Sequence, residues 1–261
     1  MQSPHRLKCA ETWAGNEGAS SVADLPGLRL WVHSRPFGAG TAGGDVHYVS
    51  VCPSCLVSRI ALADVSGHGR AVVSLSIKLG ELMHTYLAAL EQASLMRDLN
   101  EAVITELDGV HYATMVAVGF HARRGLLVMT NAGHPPAFGY RANRREWSWF
   151  DSTPAGEGLR VSGTPLGLLR NVSYNRTIIK PDPGDLIVLY SDGVSEATNP
   201  AGTEFGRDNL MTVAGALNPT SAETVGLQLV EAVSVFRRER APEDDETLIL
   251  LQAFPDSLAL T

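Results

Sequence analysis

The sequence is poor in the features that mark secreted, membrane-spanning and nucleic-acid-binding proteins. It has three cysteines in 261 residues, an odd and small number that fits a reducing compartment better than a disulfide framework. No segment approaches the run of about eighteen apolar residues that a membrane span needs, and Met1 to Gly27 lacks the apolar core of a signal peptide. The net charge is -7 and no basic stripe is present. These absences predict a cytoplasmic protein that binds neither membrane nor nucleic acid.

The composition is that of an ordinary globular protein, with 44% hydrophobic and 19% charged residues. Residues 1–26 are small and polar and predict a flexible leader, and residues 27–261 predict one domain. Strand-like segments surround a helical pair at Ala71 to Leu107, and a second pair at Arg207 to Glu239 precedes a last strand, Glu246 to Ala253. This order predicts a single α+β domain, in which helices cover a mainly antiparallel core.

Two cysteines, Cys52 and Cys55, lie between two strand-like segments and have the spacing of a zinc knuckle. A structural zinc site needs four ligands, and Cys9 is the only other thiol in the sequence. The simpler interpretation is a hairpin turn between the two strands.

The stretch Ala63-Asp64-Val65-Ser66-Gly67-His68-Gly69 lies where an apolar run ends and a helical pattern begins. One interpretation is a strand-to-helix turn in which Asp64 caps the helix. The other is a cation site, because glycines allow unusual backbone geometry and carboxylate and carbonyl oxygens suit Mg²⁺, Mn²⁺ or Ca²⁺. The stretch alone does not decide between them.

Four aspartates share this setting at the end of an apolar strand or beside glycine: Asp45, Asp64, Asp192 and Asp244. If they converged, each pair of carboxylates about 4 Å apart would repel by roughly 1 to 4 kcal/mol. Divalent cations would remove that repulsion, and two cations could activate a water for phosphate-ester hydrolysis. Spacing alone does not show that the four positions meet.

Five short motifs follow one another along the chain: Gly43-Gly44-Asp45, Asp64-Val65-Ser66-Gly67-His68-Gly69, Asn131-Ala132-Gly133-His134-Pro135-Pro136, Ser191-Asp192-Gly193-Val194-Ser195-Glu196-Ala197 and Asp244-Asp245-Glu246-Thr247. In this order they resemble the metal-dependent protein phosphatases (the PPM family), in the bacterial branch of stage II sporulation protein E and RsbU. The resemblance extends from about residue 28 to 253. It implies a central antiparallel β-sandwich flanked by helical pairs, with two Mn²⁺ or Mg²⁺ ions at one end.

The resemblance also implies a role for each motif residue. Asp64 would bridge the two metals, and the backbone carbonyl of Val65 would be a further ligand. Asp192 and Asp244 would hold the first metal, and Asp45 would serve the second, directly or through water. The nucleophile would be water activated by the metals rather than a side chain.

Two features depart from the family pattern. Ser66 stands where many relatives have the histidine that protonates the leaving group, so His68, His134 or a water would have to substitute. His134 could equally be structural, tying the turn at Asn131 to Pro136. No arginine of the sequence clearly matches the phosphate-binding arginine of the family, and Arg35 is the candidate for that role.

The function implied is that of a serine/threonine phosphoprotein phosphatase, acting on a phosphorylated regulatory protein of the STAS (anti-anti-sigma) type. The absence of a fused sensor implies that the signal arrives from a separate activating protein or from metal availability. Two alternatives are a catalytically inactive partner-binding module with this fold and a hydrolase of small phosphate esters. The intact carboxylates disfavour the inactive module.

Overall fold

The computed structural model describes residues 5–38, 40–67, 70–87, 92–150, 163–238 and 240–254. Its strands are β1 (His5–Arg6), β2 (Thr12–Glu17), β3 (Ala19–Leu25), β4 (Leu28–Arg35), β5 (Ala42–Val51), β6 (Val57–Val65), β7 (Ala113–His121), β8 (Leu126–Ala132), β9 (Phe138–Arg141), β10 (Glu146–Trp149), β11 (Arg176–Ile179), β12 (Leu186–Tyr190) and β13 (Glu246–Ala253). Its α-helices are α1 (Arg70–Leu87), α2 (Gln92–Glu106), α3 (Asp192–Ser195), α4 (Gly206–Ala216) and α5 (Ala222–Arg237).

The strands form two sheets. The seven-stranded sheet has the order β1-β3-β4-β13-β12-β9-β10, and the six-stranded sheet has the order β11-β8-β7-β6-β5-β2. Strand β1 runs parallel to β3, whereas the central strands β5 to β8 and β4, β13, β12 and β9 pair in antiparallel fashion. The predicted α+β class and antiparallel sandwich are confirmed.

Three apolar layers hold the sandwich together. The central layer lies between the sheets and includes Leu30, Ile60 and Ile249. On the outer face of the six-stranded sheet, α1 and α2 bury side chains such as Leu79. On the outer face of the seven-stranded sheet, α4 and α5 pack around Trp31. Central strands are therefore covered on both faces, which explains why β12 is an uninterrupted run of buried residues rather than an alternating one.

The segment predicted to be a flexible leader differs in the structure. Strand β2 pairs with β5 at one edge of the six-stranded sheet, and β3 pairs with β4 along its whole length. Ala23 and Leu25 are buried in the central layer. The small, polar composition misled the prediction, because edge strands are held by backbone hydrogen bonds that composition does not report. Residues 12–25 are therefore part of the sandwich.

The cysteines also differ from the expectation of free thiols. Cys9 and Cys55 form a disulfide, with their Cα atoms 5.0 Å apart, and Cys52 carries a free thiol. The disulfide joins the turn before β2 to the loop between β5 and β6, which is a hairpin loop as predicted.

None of the helices among the described residues combines the length and the apolar character that crossing a bilayer requires.

A glycine in α5 permits the contact between that helix and the seven-stranded sheet. A Cβ atom at Gly226 would overlap the ring of Trp31, which is 1% exposed. We expect Gly226→Ala to lower the free energy of unfolding by about 1 to 3 kcal/mol, because a packed core cannot accept the extra methyl group. Urea unfolding measures the change. Gly215→Ala in α4 is the matched control: its Cβ would meet no atom within 4 Å, so the change should be neutral or stabilising by up to about 1 kcal/mol. Equal effects of the two substitutions would contradict the packing argument.

Candidate functional site

Two of the predicted aspartates face each other across adjacent strands. Asp45 on β5 is the register partner of Asp64 on β6, at the same end of the six-stranded sheet. Asp45 is 3% exposed, and its Oδ2 atom has no hydrogen-bond partner among the described residues. Like charges directly opposite each other on one face of a sheet are destabilising, so this pair has a cost that something else must offset.

The seven-stranded sheet brings its acidic residues to the same end of the sandwich. Asp192 begins α3 and is separated from the end of β12 by Ser191 alone, while Asp244 and Asp245 directly precede β13. The backbone N–H of Ser191 donates to the carbonyl of Thr247 at 3.0 Å, which holds these two chain segments together.

Asp245 links the two sheets. Its Oδ2 atom accepts hydrogen bonds from the backbone N–H groups of Gly44 at 2.5 Å and Asp45 at 3.3 Å, and its Oδ1 atom accepts one from Phe37 at 2.5 Å. A buried carboxylate that accepts several N–H groups is well stabilised as an anion. The acidic end of β13 is thereby fastened to the segment that carries Asp45.

The electrostatics show that the four predicted positions influence one another. Burial, followed by the negative charges of Asp192 and Asp244, raises the pKa of the Asp64 carboxyl to about 8. Burial and then the charge of Asp64 raise the pKa of Asp45 well above its usual range, against hydrogen bonds with Thr247 and Ser191. Burial also raises the pKa of Asp192. Carboxylates from both sheets therefore share one desolvated region.

Glycines leave the space that these carboxylates occupy. A Cβ atom at Gly43 would overlap the Asp245 carboxylate, and one at Gly193 would overlap the Asp245 carbonyl oxygen. A Cβ atom at Gly44 would lie 3.3 Å from Asp64 Oδ1 and 2.9 Å from a methyl group of Val72. Steric crowding thus explains why glycine occupies these positions in the Gly-Gly-Asp and Asp-Gly motifs.

The donor set fits a hard divalent cation in its chemistry. Carboxylate oxygens are the ligands that Mg²⁺ and Mn²⁺ prefer, and the unpartnered Oδ2 of Asp45 beside Asp64 is a buried acceptor suited to a cation. Within the described ranges, no three carboxylate, imidazole or thiol groups are already arranged as ligands about one point. Asp244 is exposed and accepts a hydrogen bond from the backbone N–H of Asp245.

The histidine candidates have different outcomes. His134 is fully buried and its Nδ1 atom lies 2.8 Å from Thr114 Oγ1. Its backbone N–H donates to Asn131 Oδ1 and its carbonyl accepts from Asn131 Nδ2. Burial lowers the pKa of His134 to about 3, so it is a neutral residue that ties a turn, and the geometry favours the structural interpretation over the catalytic one. His68 lies outside the described residues.

Two residues near the site were not among the predicted ones. Asp245 sits beside the predicted Asp244, and only the fold shows that its carboxylate binds the backbone of another sheet. The carboxyl of Glu196 has its pKa raised by burial and by Asp192, so it belongs to the same acidic region. The sequence feature that could have identified Glu196 is its position in the same motif as Asp192.

Comparisons with known proteins agree with this arrangement. A family profile described as stage II sporulation protein E (SpoIIE) matches residues 57–254. The phosphoserine phosphatase RsbU of Bacillus subtilis (strain 168) is 27% identical over 139 residues, which are 53% of this chain and 39% of RsbU. The chain spans 17 to 39% of the length of RsbU and the two other curated relatives that it matches.

Solved structures share the fold. The SiaA-PP2C domain of Pseudomonas aeruginosa superposes with a TM-score of 0.70 at 16% identity, covering 87% of this chain and 85% of that one. The catalytic domain of the serine threonine protein phosphatase PstP, in complex with 2 manganese ions, gives a TM-score of 0.60 at 16% identity, covering 87% and 99%. The family predicted from the motifs is confirmed.

The raised pKa of Asp64 predicts how the metal-free protein responds to pH. Between about pH 6.5 and 8 the folded protein takes up a proton at Asp64, whereas the unfolded chain, with an aspartate pKa near 3.9, does not. We therefore expect the free energy of unfolding in chelator to increase as the pH falls through this window, by at most about 1.4 kcal/mol per pH unit for one proton. Urea unfolding at stepped pH measures the slope.

Asp64→Asn should make that slope shallower, because it removes one of the titrating carboxyls, while Asp45, whose pKa burial also raises, still contributes. Asp98→Asn, an exposed aspartate on α2, should keep it. His47 and His134 are buried and have lowered pKa values, so they change the free energy of unfolding below about pH 6.5. Their effect therefore lies outside this window. An equal slope in wild type and Asp64→Asn would contradict the assignment.

Proposed function

The chain belongs to the stage II sporulation protein E family, and from this premise we propose that it is a metal-dependent serine/threonine phosphoprotein phosphatase. The observation that carries the proposal is the register pair of the buried Asp45 and the partly buried Asp64, around which carboxylates from both sheets gather at one end of the sandwich. Such a concentration of buried negative charge is unfavourable on its own and suits a site for divalent cations.

We assign the cofactors as two Mn²⁺ or Mg²⁺ ions, as the family resemblance implies and as the manganese-containing relative supports. The residues that would hold the ions are Asp64, with the Val65 backbone carbonyl as a further ligand, Asp192 and Asp244 for the first ion, and Asp45 for the second, directly or through water. When bound, such ions neutralise the carboxylates, polarise the phosphoryl group and lower the pKa of water.

The protein's own residues shape the place where a phosphoryl group would enter. A cavity at this end is lined by apolar side chains such as Val72, by glycines that include Gly43, Gly44 and Gly67, and by the acidic residues Asp244 and Asp245. Arg35 stands at the end of β4, half-exposed, with its Nη1 atom 4.0 Å from Glu246 Oε2. It is therefore loosely held beside the acidic region and is our candidate for binding the phosphate dianion.

The substrate that we propose is a phosphoserine or phosphothreonine on a regulatory protein of the STAS type, acted on in the cytoplasm. The likeness to RsbU, a phosphoserine phosphatase, supports the substrate class. The alternative of an inactive binding module is less well supported, because a partner-binding role gives no reason to retain buried carboxylates that repel one another.

Helix α1 offers a route by which a separate activating protein could control the site. The Ser76 hydroxyl donates to the Gly43 carbonyl at 2.7 Å, and Asn16 Nδ2 donates to Ser76 Oγ at 2.9 Å. Val72 on the same helix lies against Gly44 and Gly67. A displacement of α1 would therefore move both strand ends that carry Asp45 and Asp64.

We expect hydrolysis of p-nitrophenyl phosphate to require added Mn²⁺ or Mg²⁺ and to stop in excess chelator. Asp64→Asn and Asp192→Asn should each lower kcat/KM by about a thousandfold or more, since metal charge is worth several kcal/mol in the transition state. The control Asp98→Asn should retain wild-type turnover, and thermal melts should show that all three variants fold. Full activity in chelator, or wild-type turnover by Asp64→Asn, would contradict the proposal.

The substrate and control are tested together. The protein should dephosphorylate a phosphoserine STAS protein in preference to a phosphotyrosine peptide, and its low basal activity should rise when an activating partner binds at α1. Turnover of both substrates is compared with and without candidate partners. A preference for phosphotyrosine would reject the substrate class, and high activity that no partner changes would reject the control.

A further inference from the structure

A histidine outside the five motifs is held by a carboxylate close to the candidate site. His111 Nδ1 lies 2.6 Å from Asp108 Oδ2, and Asp108 Oδ1 accepts the backbone N–H groups of Val110 at 3.0 Å and His111 at 2.9 Å. These N–H groups lower the pKa of Asp108 most, and the hydrogen bond to the His111 ring lowers it further, to about 2. An ionised carboxylate has no proton to donate, so the hydrogen of this pair is on Nδ1.

The opposite edge of the His111 ring faces the loop that follows Asp64. Its Cδ2 and Nε2 atoms lie 3.5 Å from the point that a Cβ atom of residue 67 would occupy, and Gly67 has φ +108. The backbone N–H of Ser66 donates to the Tyr112 carbonyl at 2.9 Å, and the Tyr112 N–H donates to Ser66 Oγ at 3.0 Å. The two segments are therefore fixed relative to each other.

This edge of the ring is also near the cavity of the candidate site. Gly67 lines that cavity together with Gly43, Gly44, Asp244 and Asp245. The His111 side chain is 28% exposed, so its Nε2 edge is not sealed inside the core. Fixing Nδ1 with a carboxylate while Nε2 stays accessible is the arrangement that a proton-transferring histidine needs.

Hydrolysis of a phosphoserine releases an alkoxide, which is a poor leaving group unless it is protonated as the bond breaks. Resting on the function proposed above, we propose that His111 is the general acid of this reaction and that Asp108 is the residue that positions it. The family position for this role is Ser66, which has no proton of suitable acidity to give.

The step balances in atoms and charge. The oxygen of a water molecule bonds to phosphorus, and the bond between phosphorus and the seryl oxygen breaks with its electron pair on that oxygen. His111 Nε2–H gives its proton to the seryl oxygen, which leaves as the serine hydroxyl. The proton released by the attacking water restores the imidazolium, and the products are serine and hydrogen phosphate.

Other histidines of the described chain are less suited to this role. His134 is fully buried and engaged with Thr114 and Asn131. His47 is 3% exposed within β5, and burial lowers its pKa to about 4. A proton donor must reach the leaving group, and both rings are enclosed.

The experiment compares two substrates whose leaving groups differ in their need for a proton. With Mn²⁺ present, His111→Ala should lower kcat/KM for a phosphoserine peptide by about 100-fold or more, and for p-nitrophenyl phosphate by less than about fivefold, since nitrophenolate leaves unprotonated. Asp108→Asn should show the same selectivity with a smaller loss. His84→Ala, which removes an exposed histidine near the end of α1, is the matched control and should change neither rate.

Two further readouts do not depend on comparing rates between substrates. Imidazole in solution should restore part of the peptide activity of His111→Ala. In the metal-free protein, the ring ¹⁵N signals of His111 should show a proton on Nδ1 that Asp108→Asn shifts. His111→Gln, with a thermal melt, replaces His111→Ala if the latter does not fold.

Three outcomes would each overturn the inference: equal losses of kcat/KM on both substrates in His111→Ala, no loss on the peptide, or a His111 ring signal that Asp108→Asn does not change. The Asp108–His111 pair would then only hold a turn. In those cases the wild type still hydrolyses both substrates and the proposed function stands. A wild type that hydrolyses neither substrate with metal present overturns both.

Discussion

The constraint on which this structure depends is the repulsion among carboxylates that share one end of a β-sandwich. Asp45 and Asp64 are register partners, and further negative charge comes from the other sheet through Asp192 and Asp244. Burying a charge is costly unless it is paired or coordinated. In the metal-free protein the cost is met partly by proton uptake, as the raised pKa values of Asp45 and Asp64 show.

Backbone N–H groups of the protein stabilise one acidic residue of this region, Asp245. Asp245 is 6% exposed, yet it accepts N–H groups from Phe37, Gly44 and Asp45, so its negative charge is satisfied without a cation. The same bonds connect β13 to the start of β5 across the two sheets. Among the residues that the structure describes, none donates to the Oδ2 atom of Asp45. Two neighbouring aspartates thus differ in role: one fastens the sheets together, and the other leaves an acceptor open for a ligand.

The sequence allowed the central strands, the two helical pairs and the strand-end aspartates to be predicted, because each depends on a local pattern. Strand β13 was predicted at its observed bounds, Glu246–Ala253, since a run of apolar residues after two aspartates is unambiguous. Strands β2 and β3 were missed because their pairing depends on backbone hydrogen bonds with β5 and β4. The Cys9–Cys55 disulfide was missed because spacing along the chain does not report that a turn lies against a distant hairpin.

The site shows the same division between local and long-range information. The acidic motif residues were identifiable from their position at strand ends, but the partners that give them their properties come from elsewhere. The Asp108–His111 pair has no motif signal at all, because its meaning arises from the ring edge that faces Gly67. Gly67 is conspicuous in sequence as a flexible residue, and its φ of +108 in the structure is a backbone conformation that other residues rarely adopt. A glycine beside a candidate metal ligand can therefore indicate where the backbone turns, whereas the side chain that approaches it from a distant segment is found only in the fold.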